Sequence, residues 1–300
     1  MAEPVGRSAP EGPGRTVGEA LRWGREVLRG AGCESPALDA ELLLSEVLGW
    51  TRARVLAHPE AALNPAQGAA YRRLVGRRAR REPLAYILGR RAFWGMDLKV
   101  RPGVLIPRPE TELLVERALA WALERGGRAW SGTVADVGTG SGAVVVALAR
   151  ELPWARFWAT DASPEALWVA QENACRQGVV HRIRFARGDW LAPVEGPVDC
   201  IVSNPPYVPS GELDRLAPEI ARYEPRPALD GGPDGLAAYR RLVPQAARAL
   251  SPGGALFLEV GYDQADAVSD LLRGHFPGWK VERVRDLGGH WRVVAVQWGR

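Results

Sequence analysis

From residue 133 onward, strand-like and helix-like patterns alternate, and this alternation leaves the chain few folds to choose from. Apolar runs of strand composition occupy 134–137, 156–160, 183–186, 199–203, 255–260, 280–285 and 291–297. Helical periodicity separates most of them, at 143–149, 164–177, 237–250 and 264–273. Strands joined through helices pair in parallel, because each helix carries the chain back across the sheet. The pattern predicts a doubly wound α/β sheet with helices on both faces. The last two strands follow each other too closely for a helical crossover, so one of them is expected to run antiparallel.

The first part of the chain reads differently. Thr16-Val17-Gly18-Glu19 is a capping box, and Leu21, Val27 and Leu28 then recur at helical spacing. A second helix starts at Ser35-Pro36, carries Leu38, Leu42, Leu43 and Val47, and stops near Gly49. A third starts at Asn64-Pro65 and carries Tyr71, Leu74 and Val75. Pro83 ends the helical part, aromatic and β-forming residues around Gly95 predict a short hairpin, and 110–125 reads as an amphipathic helix. The expected layout is a disordered tail over 1–15, a helical domain over 16–83, a β-hairpin linker over 84–107 and an α/β domain over 108–300. The tail is rich in Pro, Gly and charge and has no apolar h-region, so it is not read as a secretory signal.

Composition excludes several classes. At 46% hydrophobic and 25% charged residues, the 300-residue chain is of ordinary globular type, and no apolar run is long enough to cross a bilayer. Cys33, Cys175 and Cys200 stand far apart and form no CxxC. Neither a disulfide framework nor a zinc site is implied, and a reducing cytoplasm fits. The net charge of +4 is mild, and lysine occurs only at Lys99 and Lys280. Nearly all the positive charge is therefore arginine. GC-rich coding accounts for this, and contact with RNA or a phosphate-rich assembly is the rival reading. The densest run, from Arg72 to Arg81, is expected on a solvated helix face.

Four strand ends carry the chemistry-bearing motifs. Asp136-Val137-Gly138-Thr139-Gly140-Ser141-Gly142 is a glycine-rich turn into a helix. Its GxGxG spacing departs from the dinucleotide fingerprint, and Asp136 suits a cationic ligand better than a pyrophosphate. Asp161 lies about twenty residues past the loop, where an acid commonly binds ribose hydroxyls; helix capping is the alternative. Gly188-Asp189-Trp190 pairs an acceptor with an aromatic face, which fits an adenine or, equally, a capped turn. Asn204-Pro205-Pro206-Tyr207 follows a strand, and its two prolines remove two N–H donors. The Asn204 side chain and the neighbouring carbonyl are then both acceptors, matched to a planar NH2 group. Ligands of open α/β sheets bind outside the carboxyl ends of the strands, where all four motifs fall.

The set resembles the class I S-adenosylmethionine-dependent methyltransferases, and the tetrapeptide resembles that of enzymes that methylate planar nitrogens. Longer segments resemble the HemK/PrmC family: 81–89, Phe93-Trp94-Gly95, 104–112, Tyr223-Glu224-Pro225 and 229–236. The resemblance runs from about residue 16 to the C-terminus. It implies methyl transfer from S-adenosyl-L-methionine to the glutamine side-chain amide nitrogen (N5) of the Gly-Gly-Gln motif in class 1 peptide chain release factors. It also implies that Gly138, Thr139, Gly140, Ser141 and Gly142 line the methionine part of the cofactor, Asp161 the ribose, and Asp189 and Trp190 the adenine. Asn204, Pro205, Pro206 and Tyr207 would hold the glutamine. Of these, Asn204, Pro205 and Tyr207 would carry catalysis, and Asn204 would also reach the cofactor. Arg108, Pro109 and Thr111 would shape the cofactor side, and the helical domain would dock the protein substrate.

The nearest rivals are a DNA or RNA exocyclic-amino methyltransferase and a ribosomal-protein glutamine methyltransferase, which share the tetrapeptide. The segments over 83–112 oppose the first, and Ile106-to-Glu112 favours the release-factor branch over the second. A nicotinamide dehydrogenase lacks its GxGxxG here, and a non-catalytic adaptor sits poorly with an intact loop and Asn204. The expected protein is a cytoplasmic monomer with no metal, no membrane contact and no direct nucleic-acid binding.

Overall fold

A computed structural model describes residues 12–298. The chain groups into two units, one of residues up to 89 together with Pro218–Tyr223, the other of 90–217 and 224–300. Most of the expected tail over 1–15 lies outside the described residues. Within 12–15, Pro13 is buried and Arg15 O accepts from Leu63 N at 2.8 Å.

The first unit is helical: α1 (Val17–Gly30), α2 (Pro36–Leu48), α3 (Arg52–Ala57), α4 (Pro65–Ala79) and α5 (Leu84–Leu88). The Thr16–Glu19 capping box forms in both directions, and Asn64 makes a second one with Gln67. Gly49 ends α2 in the left-handed conformation, φ 64°. Leu21, Leu28, Leu43, Tyr71 and Val75 meet in the core of this unit, whereas Leu38 is exposed.

The arginine run corrects the expectation of a solvated face. Arg72, Arg73 and Arg80 are exposed, but Arg78 is buried and Arg77 and Arg81 are half-buried. Arg78 donates to Asp39 at 2.7 Å and to Glu219 at 2.8 Å, and Arg81 grips Glu219 at 2.7 and 2.6 Å. Glu219 stands in the single turn Pro218–Tyr223, which is α9 in chain order. A burial this deep is tolerated because each charge is paired and hydrogen-bonded.

The second unit begins with a hairpin, β1 (Arg90–Phe93) and β2 (Met96–Lys99), around Gly95 as expected. Trp94 and Gly95 both have positive φ, 49° and 66°, the signature of a twisted two-residue turn. Residues 84–88, read as part of the linker, instead form α5 of the first unit. Phe93, Met96 and Leu98 are buried in the core of the second unit, so the hairpin is built into it.

The remaining elements are α6 (Glu112–Gly126), β3 (Thr133–Val137), α7 (Ala143–Glu151), β4 (Arg156–Asp161), α8 (Pro164–Arg176), β5 (Ile183–Arg187), β6 (Val198–Ser203), α10 (Ala237–Ala249), β7 (Leu250–Glu259), α11 (Ala265–His275), β8 (Lys280–Arg285) and β9 (Trp291–Gln297). The sheet has seven strands in the order β5-β4-β3-β6-β7-β9-β8, and β9 alone runs antiparallel to the rest. Alternate residues of β7 serve opposite faces: Ala255 and Phe257 join α6 and α7, Leu256 and Leu258 join α10 and α11. The strand order turns back beside β3, which opens a crevice between the ends of β3 and β6.

Burial opposes the charged form of Glu219, but hydrogen bonds from Arg81, its own amide and Arg78 outweigh it and hold the carboxyl at about 2, down from 4.5. A carboxyl lowered on folding adds stability that is present above its unfolded value and lost as pH falls through the folded one. Glu219→Gln should therefore flatten the loss of stability between about pH 5 and pH 2. Urea midpoints at stepped pH read this; an unchanged slope would remove Glu219 as an anchor.

Candidate active site

The loop after β3 is the floor of the crevice. Gly138, Gly140 and Gly142 have φ of 73°, 56° and 80°, a region that costs glycine no Cβ clash. Gly138 N and Thr139 N donate to Thr160 O at 2.8 and 2.9 Å, which hangs the loop on the end of β4. A Cβ on Gly142 would lie 2.9 Å from Ala170 Cβ, whereas one on Gly138 or Gly140 would meet nothing within 4 Å. Gly142 thus serves packing, and the other two keep a cradle open beside the N-terminus of α7.

Two carboxylates brace the loop. Asp136 is 2% exposed and accepts from Thr139 Oγ1 at 2.7 Å and Val145 N at 3.1 Å. Burial pushes its carboxyl up to about 7 against these bonds. Asp161 accepts from Gly140 N and Ser163 N, each at 2.9 Å, and burial raises it as well. Helix α8 is capped by Ser163, whose Oγ accepts from Ala166 N at 3.2 Å, not by Asp161. Asn173 of α8 adds a staple, with Nδ2 donating to Ser141 O at 2.9 Å and Lys99 O at 3.0 Å.

The end of β5 is the open rim. Both oxygens of Asp189 accept from Arg241 Nη2 at 2.7 Å. Trp190 has a φ of 54°, rare for a bulky side chain, and its Nε1 is buried with no hydrogen-bond partner. Its ring packs against the core shared with α10 and α11.

At the end of β6, buried Ser203 donates to Val137 O at 2.6 Å and locks β6 to β3. Asn204 Nδ2 donates to Thr111 Oγ1 at 3.2 Å, its one side-chain hydrogen bond among the described residues. Pro205 is buried, and Pro206 and Tyr207 are half-buried. Burial first, and then Glu259, push the Tyr207 hydroxyl up to about 12, so it stays a neutral phenol. Gln264 Nε2 clamps the exit, donating to Tyr207 O at 2.8 Å and Gly235 O at 3.3 Å. A Cβ on Gly231 would lie 2.8 Å from Tyr207 Cα, and one on Gly235 would lie 2.5 Å from Tyr207 O. The segment over 229–236 therefore needs these glycines to admit the tetrapeptide. Buried Glu224 accepts from Ile106 N at 3.0 Å and from Arg108, which fixes the segment leading to Thr111.

One cleft brings together Arg108, Thr111, Asp136, Gly138, Thr139, Gly140, Ser141 and Asn204. The cleft holds about 40 Å³, well below the 300–1,000 Å³ of a typical ligand pocket. Pro109 faces a different cavity, beside Trp94 and Leu287. Sequence reasoning missed Asn173, Gln264 and Glu259. Only Glu259 left a signal, an acid closing the apolar run Ala255-Leu256-Phe257-Leu258. Among the described residues, no cluster of His, Cys, Asp and Glu could hold a metal ion, and no helix is long and apolar enough to cross a membrane.

Comparisons with known proteins bear on the family of the chain. A family model described as PrmC N-terminal domain matches residues 19–89, and one described as methyltransferase small domain matches 111–221. A release factor glutamine methyltransferase of Moorella thermoacetica is 49% identical, over 86% of this chain and 89% of its own. One of Caulobacter vibrioides is 42% identical, over 93% of this chain and 95% of its own. A solved protein-(glutamine-N5) methyltransferase (release factor-specific) of Alicyclobacillus acidocaldarius is 32% identical, covers 68% of this chain and all 100% of its own, and superposes with a TM-score of 0.41.

A methyl group at position 138 meets no protein atom but intrudes on the cradle. Gly138→Ala should cost the fold about 1 kcal/mol, for its positive φ. It should weaken S-adenosylhomocysteine binding by about tenfold or more. Titration calorimetry beside thermal unfolding reads both, and unchanged affinity would take the ligand away from this loop.

Proposed function

We infer the activity from one established fact: the chain belongs to the release factor glutamine methyltransferase family. It is an S-adenosylmethionine-dependent enzyme that methylates a glutamine of a release factor. The acceptor atom is the side-chain amide nitrogen (N5) of the glutamine in the Gly-Gly-Gln motif of class 1 factors. The observation that carries this reading is Asn204, which borders the cleft and whose NH2 end is engaged by Thr111, with no hydrogen bond to its oxygen among the described residues.

The residues present fit the cofactor. Gly138 and Gly140 leave a cradle that a Cβ would fill, and the buried Trp190 Nε1 has no protein partner. Gly138 to Gly142 would hold the methionine part, Asp161 the ribose, and Asp189 and Trp190 the adenine; for that, Asp189 would have to share its contact with Arg241. When bound, S-adenosylmethionine supplies a methyl group activated by its sulfonium.

The chain's own task is to present a weak nucleophile. An amide nitrogen is unreactive because its lone pair is delocalised into the carbonyl. Asn204 Oδ1 and Pro205 O accept the two amide hydrogens of the glutamine and stabilise the positive charge that develops on nitrogen. Tyr207, clamped by Gln264, packs against the amide plane. Orientation of this kind contributes roughly 7–11 kcal/mol in favourable systems. No strong base is required, since the N-methylated amide cation formed by transfer is strongly acidic and gives its extra proton to water. The helical unit docks the release factor, and the enzyme works as a monomer in the cytoplasm.

Asn204→Ala is expected to lower kcat by about 10²–10³ or more while leaving cofactor affinity nearly intact. Mass measurement of a co-incubated release factor should show one added methyl on the Gly-Gly-Gln peptide with the wild type and none with the variant. A wild-type rate in the variant, or methyl on RNA instead of on the factor, would refute the assignment.

A further inference from the structure

Asn173 of α8 is 1% exposed, and its carboxamide makes three hydrogen bonds. Oδ1 accepts from Lys99 N at 2.7 Å. Nδ2 donates to Lys99 O at 3.0 Å and to Ser141 O at 2.9 Å. Both donors and the acceptor are thereby in use. A flipped amide would set its oxygen against two carbonyls and its NH2 against an N–H, so the surroundings admit one orientation.

The partners of this amide belong to two different segments of the cleft wall. Ser141 stands in the glycine-rich loop after β3 and lines the cleft with Gly138, Thr139 and Gly140. Lys99 ends β2 and opens the segment that lines the cleft further on with Leu105, Pro107, Arg108 and Thr111. Helix α8 is the splint between them. Lys99 Nζ pairs with Glu172 at 2.6 Å, Arg101 pairs with Glu165 at 3.5 Å, and the Arg101 guanidinium lies 4.1 Å over the Trp168 ring. Glu165, Trp168 and Glu172 share one stripe of α8, so residues 99–101 run along it toward its N-terminus. Ala170 abuts the loop at Gly142. Asn173 holds both segments with a single group.

The other anchors of the loop hold its amides: Gly138 N and Thr139 N on Thr160 O, and Gly140 N on Asp161. Asn173 holds a carbonyl, that of Ser141. A staple for the fold alone needs only the paired bonds to Lys99, and the third bond reaches a residue that lines the cleft. We propose that Asn173 is a positioning residue for the cofactor, which fixes the spacing of the two segments where the methionine part lies. The inference rests on the reading that places that part at Gly138 to Gly142. Released from Asn173, the Ser141 carbonyl is free to turn, and the segment from Lys99 to Arg108 loses its register against the loop. Binding then has to order both, which costs affinity for the part of the ligand that meets them.

The test uses the full chain and titration calorimetry with two ligands. One is S-adenosylhomocysteine; the other is 5′-methylthioadenosine, which keeps the adenosine and the sulfur and lacks the amino-acid part. Asn173→Ala should bind S-adenosylhomocysteine about tenfold more weakly, the size of one net hydrogen bond. Its affinity for 5′-methylthioadenosine should match the wild type, a split that a general loosening of the fold does not produce. Asn173→Asp keeps the shape and the bond from Lys99 N but cannot donate. It should show the same split, and it keeps the idea testable if Asn173→Ala folds poorly. Lys99→Ala removes the neighbouring ion pair, leaves the backbone bonds, and should bind both ligands as the wild type does. Wild-type affinity for S-adenosylhomocysteine in a folded Asn173 variant, equal losses for the two ligands, or an equal loss in Lys99→Ala overturns the proposal. A wild type that binds the two ligands equally well sinks the parent reading instead, since no methionine part is then recognised.

Discussion

A single hydrogen bond, 3.2 Å from Asn204 Nδ2 to Thr111 Oγ1, decides which end of the Asn204 amide is offered to a ligand. An amide is nearly symmetric in shape and opposite in chemistry at its two ends, so its partner sets its function. With nitrogen held, the oxygen is left as an acceptor, and on the proposed reading a planar NH2 group is its guest. Every other feature of the site either holds this pair in place or shapes the space in front of it.

The holding is distributed over distant parts of the chain. Ser203 ties the strand before Asn204 to β3, Gln264 holds the carbonyl of Tyr207, and Gly231 and Gly235 let their own segment approach the tetrapeptide. Glu224 fixes Ile106 and Arg108, and so the approach to Thr111. These contacts are buried and directional, which suits a reaction limited by geometry more than by proton transfer. They also explain why segments far apart in sequence must keep their residues together.

The legible parts of the fold were those with a local cause. The capping box at Thr16, the helix start at Asn64, the hairpin around Gly95 and an antiparallel strand among the last two all follow from short-range pattern, and all are present. The family and the chemistry were legible because the motifs at the strand ends are themselves short. Long-range pairing was not. Nothing local says that Arg78 is buried against Asp39 and Glu219, so a run of arginines reads as solvated. Leu84-Ala85-Tyr86-Ile87-Leu88 is apolar and short, a length at which strand and helix patterns coincide, and it folds as α5. Asn173 and Gln264 look like ordinary helix polar residues until the loops they staple are seen.

The most direct test is a crystal of the enzyme with S-adenosylhomocysteine and a Gly-Gly-Gln peptide. The Asn204 oxygen should lie about 2.9–3.0 Å from the glutamine amide nitrogen, with the ligand sulfur on the far side of that nitrogen. A glutamine bound elsewhere, or an Asn204 side chain turned into the packed interior with the sulfur remote from it, would contradict the account.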